Sequence, residues 1–266
     1  MATATEDFSA EPYRSKPDRS YICGYPQIGN YKGLKMPERL HTSVLDTLGR
    51  EITAGEIAAG DVLTLERLQQ RFGVSRTVAR ESMRLLEQLQ LVTARRRVGI
   101  VVRPAQEWDV LDPLIIRWRL SGPGRPGQIR SLNELRVAVE PLAAHAAALH
   151  ASTTERSDLV EIARMMRGAD EAHHDQEYLE LDIAFHTEVL RASRNEMFAA
   201  LTDVFAEVLV GRTLEGLSQR EPGAVSLDGH DAVAEAILTG DGDKAESVIR
   251  EIMTAARAQI RELNVF

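Results

Sequence analysis

Apolar residues return at three- and four-residue steps along most of the chain, the period of helices that bury one face. Leu40, Val44, Leu45, Leu48 and Ile52 make the first such run and predict a helix over 38–57. A shorter one is predicted over 65–72, then a turn at Gly73, then a second helix from Ser75 to about Leu89 with Val78, Ser82, Leu85, Leu86 and Leu89 on one stripe. In LVTARRRVGIVVRP the period changes. Its β-branched runs flank a basic tip and predict a two-stranded hairpin closed by Pro104. A Gly- and Pro-rich stretch over 105–128 reads as a linker with apolar anchors. The helical period then resumes, predicting helices over 129–150, 155–174, 176–193, 196–217, 225–239 and 243–262. Residues 1–36 carry neither period and predict a flexible extension. The expected fold is mainly α: a winged helix-turn-helix over 37–104, the linker, and an all-helical domain over 129–266.

Composition changes this picture in two respects. At 266 residues and 44% hydrophobic the chain sustains two cores, and a single cysteine, Cys23, excludes an internal disulfide. No apolar run is long enough to span a bilayer, and the polar, acidic N-terminus does not read as a signal peptide, so a cytoplasmic protein without membrane attachment is expected. The net charge of −8 is unevenly spread. Residues 37–104 hold 11 basic against 8 acidic groups, whereas 105–266 hold 16 against 28. Polyanion binding therefore belongs to the first helical unit, because phosphates need local cations.

That unit places the cations where DNA can be read. Ser75 stands at the N-cap of the second helix, Arg76 and Thr77 follow in its first turn, and Arg80 and Arg84 repeat at four-residue steps. A helix N-terminus attracts a phosphate through its free N–H groups, and an arginine there reaches guanine O6 and N7 as a bidentate pair. The hairpin tip adds Arg95, Arg96 and Arg97 on the same side.

The segment EITAGEIAAGDVLTLERLQQRFGVSRTVARESMRLLEQLQLVTARRRVGIVV resembles the winged-helix domain of the GntR superfamily of bacterial repressors. The resemblance implies that Ser75, Arg76, Thr77 and Arg80 contact DNA and that the wing around Arg97 and Gly99 enters the neighbouring minor groove. The chain departs from the family in two places. An arginine usually opens the helix before the turn, where this chain has Glu66, leaving Arg67 to make that contact or the contact unmade. The usual Gly-x-Gly of the wing is reduced to Gly99.

The helical half has polar groups within its apolar stripes. Asp182 and His186 lie four apart among Leu179, Ile183, Val189 and Leu190; His230 heads Val233, Ala234 and Ile237; Arg136 lies within Leu132, Leu135, Val139, Leu142 and Ala143. Buried polar groups need partners, and this set points to a ligand or metal pocket. Oxygen and nitrogen donors at i and i+4 with a distant histidine suit a divalent transition metal, zinc first, with nickel, manganese or iron as alternatives. NELRVAVEPLAAHAA, ELDIAFH and GHDAVAEAILTGD resemble the FCD ligand-binding domain of the FadR branch. That resemblance assigns Asp182, His186 and His230 as metal ligands, while the position of the family's fourth ligand, a histidine, is Ile252. Two arrangements follow: a three-ligand site completed by water or by an effector's carboxylate, or a metal-free pocket that holds the effector directly. The string EWDVLDPLIIRWRL resembles regulators of sugar-acid catabolism, which implies a small carboxylate effector clamped by Arg136.

The expected function is therefore a homodimeric, effector-responsive regulator, a repressor on a palindromic operator, and not an enzyme. Two other readings compete: a metal-dependent hydrolase fused to a DNA-binding module, and a constitutive DNA-architectural dimer.

Overall fold

The computed structural model describes residues 39–213 and 224–262. The extension expected over 1–36, with Cys23, lies outside the described residues, as does the end of the helix expected to reach residue 217. The first unit is α1 (Arg39–Ala54), β1 (Val62–Leu63), α2 (Leu65–Phe72), α3 (Arg76–Gln88), β2 (Val92–Arg95) and β3 (Gly99–Val102). Thr64 caps α2, its hydroxyl accepting from the Arg67 N–H, and Gly73 ends it in the left-handed conformation at φ 63°. The sheet order is β1-β3-β2, antiparallel throughout, with Val62 opposite Val101 and Arg95 opposite Gly99. The expected hairpin is thus three-stranded. β1 was too short to leave an alternating pattern, but Gly99 carries its trace: at φ +123°, a Cβ there would lie 2.9 Å from Val62 Cγ1.

The expected linker is the main correction. It contains a short 3-10 turn (Ala105–Glu107), a helix α4 (Pro113–Leu120) and the first turn of α5 (Arg125–His150). Asp112 caps α4, accepting from the Leu114 N–H at 2.8 Å, and Pro113 has its φ already set for a first helical turn. Ile115, Ile116, Trp118 and Leu120 are all buried, so α4 has apolar residues on several faces and shows no amphipathic stripe. Pro126 likewise opens α5 rather than breaking a helix.

The helical half continues with α6 (Thr153–Glu171), α7 (Asp175–Ala192), α8 (Glu196–Ala199), α9 (Thr202–Thr213), α10 (Ala224–Thr239) and α11 (Gly242–Glu262). The helix expected from residue 196 is therefore two, broken at Ala200–Leu201 after an Asn195 cap. Ser152 and Glu155 form a reciprocal capping box on α6. Arg156 gathers the closing turns of two other helices, donating to the carbonyls of Ala148 on α5 at 2.6 Å and of its C-cap Ala151 at 3.0 Å and to those of Ile237 and Leu238 on α10. None of the helices among the described residues is long and apolar enough to cross a membrane.

The core of the first unit is built from α1, α2, α3 and the sheet: Val44, Leu48, Ile52, Leu68, Ala79, Met83, Leu86, Leu91 and Val102. Ile115 and Trp118 of α4 complete it. The Trp118 indole N–H donates to Asp46 of α1 at 3.0 Å, and its ring lies flush on Gly49. A Cβ at position 49 would meet the ring carbons at 2.5 Å, so only glycine allows this approach.

Gly49→Ala should therefore force Trp118 from its seat and destabilise the chain by about 1–3 kcal/mol. Urea unfolding monitored by tryptophan emission checks it; an unchanged midpoint with unshifted emission would refute the packing argument.

Candidate functional site

On the first unit, Ser75 caps α3, its Oγ accepting from the Val78 N–H at 3.3 Å. Arg76, Thr77 and Arg80 are exposed while Ala79, Ser82, Met83 and Leu86 are buried, so the helix divides as the stripe predicted. Ser82 sits within the apolar face at no polar cost because its hydroxyl donates to the Val78 carbonyl. Arg84 does not extend the cationic row, since its guanidinium pairs with Glu81 at 2.7 Å. Arg67, Arg76, Arg80, Arg95, Arg96 and Arg97 are exposed and engage no side-chain partner among the described residues. Arg97 holds the hairpin turn at φ 66°, and Gly99 admits β1 beneath it.

In the helical half, α5, α7 and α10 bring the predicted polar groups together. His186 Nε2 lies 3.3 Å and His230 Nε2 3.4 Å from the same oxygen, Asp182 Oδ1. Phe185 stands edge-on to both imidazoles, at 5.8 and 4.9 Å between centroids, and fixes their planes. The three donor atoms lie within 4.8 Å of one another. Separations of 3.3 and 3.4 Å are long for N–H···O bonds but suit ligands of a shared ion, since bonds of about 2.0–2.1 Å at a tetrahedral centre put donors roughly 3.3 Å apart. The residues present fit a divalent transition metal. Ile252 of α11, at the position assigned to a fourth ligand, is buried, and its side chain packs where a Cβ on Gly229 would meet it at 2.8 Å.

Sequence reasoning missed Glu140. This residue is fully buried; its Oε2 lies 2.5 Å from His186 Nδ1, and its Oε1 pairs with Arg136 Nε. The signal was present as the i, i+4 spacing of Arg136 and Glu140. The inward face of α5 is Ile129, Leu132, Asn133, Arg136, Glu140, Ala143 and Ala147, whereas Leu142, placed on the stripe with Arg136, is exposed. Arg136 itself is 1% exposed, with Phe205 of α9 at 5.9 Å from its guanidinium carbon. Both of its terminal nitrogens, Nη1 and Nη2, are buried and lack a hydrogen-bond partner among the described residues.

The electrostatics follow from this packing. Burial alone would raise Glu140, but Arg136 and His186 overcome it and hold the carboxyl at about 2. Burial also opposes ionisation of Asp182, yet the two histidines keep it well below the ordinary aspartate range. For His186 burial works against the imidazolium, and Glu140 outweighs it, so its pKa is raised.

Two family models match the chain: bacterial regulatory proteins of the gntR family over residues 40–102, and the FCD domain over 131–255. The galactonate operon transcriptional repressor of Escherichia coli is 29% identical over 225 residues, covering 83% of this chain and 96% of that one. The Uxu operon regulator of Haemophilus influenzae is 24% identical, covering 85% and 84%. Among solved structures, Lar, which controls the expression of the Listeria monocytogenes agr system, superposes with a TM-score of 0.56 at 17% identity, over 86% of this chain and all of that one.

Glu140 ionises more readily in the folded chain than at its ordinary value of 4.5, so its contribution to stability is complete above that pH and is lost as pH falls towards 2. Urea midpoints measured from pH 6 to pH 3 should fall, less steeply in Glu140→Gln. Glu140→Ala should cost about 3–5 kcal/mol at pH 7, because it strands a buried guanidinium. A wild-type profile flat down to pH 3 would contradict the pairing.

Proposed function

The chain belongs to the GntR family of bacterial regulatory proteins and carries an FCD domain, making it a DNA-binding transcription regulator; on that premise we propose that it is a repressor relieved by a small carboxylate, sugar-acid in class, bound in its helical half. The observation that carries the effector reading is the buried edge of Arg136. Two adjacent N–H-bearing nitrogens without acceptors, deep in the fold, are costly unless a ligand meets them, and their fork matches a planar carboxylate. The names of two relatives, a galactonate operon repressor and a Uxu operon regulator, favour the sugar-acid class.

On DNA, α3 lies with its N-terminus against the duplex, Arg76 and Thr77 engaging phosphate or base edges and Arg80 reaching further into the major groove. The tip at Arg95, Arg96 and Arg97 follows the adjacent minor groove. Two copies related by a two-fold axis read the two halves of a palindromic site. The acidic helical half faces away from the phosphates.

Asp182, His186 and His230 hold a divalent transition metal, zinc by ligand type, which when bound supplies positive charge for the effector's oxygens. Arg136 orients the carboxylate. The response leaves the pocket through α9, whose Phe205 lies beside Arg136 and whose Glu207 pairs with Arg117 of α4. At Gly211 of α9 a Cβ would meet Leu120 at 2.7 Å, and the Gly211 carbonyl accepts from Arg125 at 2.8 Å. Trp118, on the same short helix, sits in the core of the DNA-binding unit. A shift of α9 is thereby passed to α1 and to the spacing of the two reading helices, and the effector lowers operator affinity by binding one arrangement better than the other.

Two outcomes are expected. By fluorescence anisotropy on DNA from upstream of its own gene, Arg80→Ala should cost about 1–3 kcal/mol on the operator and much less on random duplex. Operator affinity unchanged in both Arg76→Ala and Arg80→Ala would defeat the assignment. In a thermal-shift screen of aldonic and uronic acids, at least one should raise the melting temperature of the wild type and weaken operator binding, and Arg136→Met should respond to none.

A further inference from the structure

One carboxylate serves two neighbours in the buried pocket. Glu140 Oε1 is paired with Arg136 Nε, and its Oε2 lies 2.5 Å from His186 Nδ1. The guanidinium's other edge, Nη1 and Nη2, has no acceptor among the described residues, so Glu140 is the only counter-charge Arg136 touches there. On the far side of the imidazole, His186 Nε2 faces Asp182 and His230. The whole chain from Arg136 through Glu140 to His186 is at most 3% exposed, where water does not screen a redistribution of charge.

We propose that Glu140 is a positioning residue that couples an anion site on Arg136 to a metal site on Asp182, His186 and His230, so that a carboxylate and a divalent metal each tighten the binding of the other. The coupling rests on the metal and carboxylate reading above and gives it a mechanism. A carboxylate on the Nη1–Nη2 edge shares the neutralisation of Arg136 and relaxes its hold on Oε1. Glu140 then accepts more strongly from the Nδ1–H of His186, which fixes the ring with Nε2 as the unprotonated donor and makes that nitrogen the better ligand. In the reverse direction, donation from Nε2 strengthens the pull of Nδ1–H on Glu140 and leaves Arg136 less neutralised, which strengthens its attraction for the carboxylate. Linkage requires the two effects to be equal. The repressor would thus sense its effector only when metal is present.

Cobalt(II) titrations of the chelator-stripped full-length protein test this, read by visible absorption, in acetate and in chloride at matched ionic strength. In the wild type, acetate should tighten cobalt binding about tenfold. Glu140→Gln should bind cobalt about 10–100-fold more weakly, with an acetate response below about twofold. Should that variant fail to fold, Glu140→Asp, which keeps a counter-charge for Arg136 but withdraws the carboxylate from His186 Nδ1, carries the same expectation. Cobalt affinity within about twofold of wild type in the Glu140 variant, or an undiminished acetate response, overturns the coupling while leaving the metal site standing. A wild type that binds no more cobalt than His186→Ala overturns the coupling together with the metal reading.

Discussion

A guanidinium and a carboxylate removed from water must satisfy each other, and the helical half is organised around one such pair. Arg136 and Glu140 sit a single turn apart on α5, each fully buried. Their presence obliges α7 to bring His186 against the second carboxylate oxygen, and it leaves two guanidinium nitrogens requiring something the described residues do not supply. An apolar replacement of the same volume would often be no less stable. The pair therefore adds little to the fold that an apolar pair would not, and the proposed ligand role gives it a reason to be there.

Helix α4 is the second organising element. It is short, it is buried on several sides, and it joins the core of the first unit while its Leu120 packs on α9. Two glycines make this possible by removing the Cβ that would hold the backbones apart: Gly49 under Trp118 and Gly211 beside Leu120. The ion pair from Arg117 to Glu207 adds a polar tie in the same region. Close contacts of this kind transmit displacement because packed side chains do not compress. In the proposed regulation, these few side chains carry a shift of α9 to the first unit.

Much of this arrangement was legible in the residues. The 3.6-residue period placed the long helices within a few positions of their ends, and the convergence of Asp182, His186 and His230 followed from their positions on otherwise apolar stripes. What escaped had physical reasons. Helix α4 is apolar on several faces and so lacks the period that marks a half-exposed helix. Strand β1 is two residues long and becomes a strand only through its partner β3. Glu140 went unread because α5 was oriented by Leu135, Val139 and Leu142, whereas small residues such as Ala143 and Ala147 carry its buried face. Alanine-rich interfaces give hydropathy little contrast, and the polar pair itself marked the inner face.

Trp118 and Ile115 complete the core of the DNA-binding unit although they lie beyond its wing in the chain. The boundary at which that unit stops being DNA-binding is thus not the boundary at which it stops folding. Exchange of effector domains between such regulators, in evolution or in engineering, has to carry α4 with the reading head and match its far side to the incoming bundle. A splice at the wing would leave an open socket over Gly49. The inheritable module is the reading head with its lever attached.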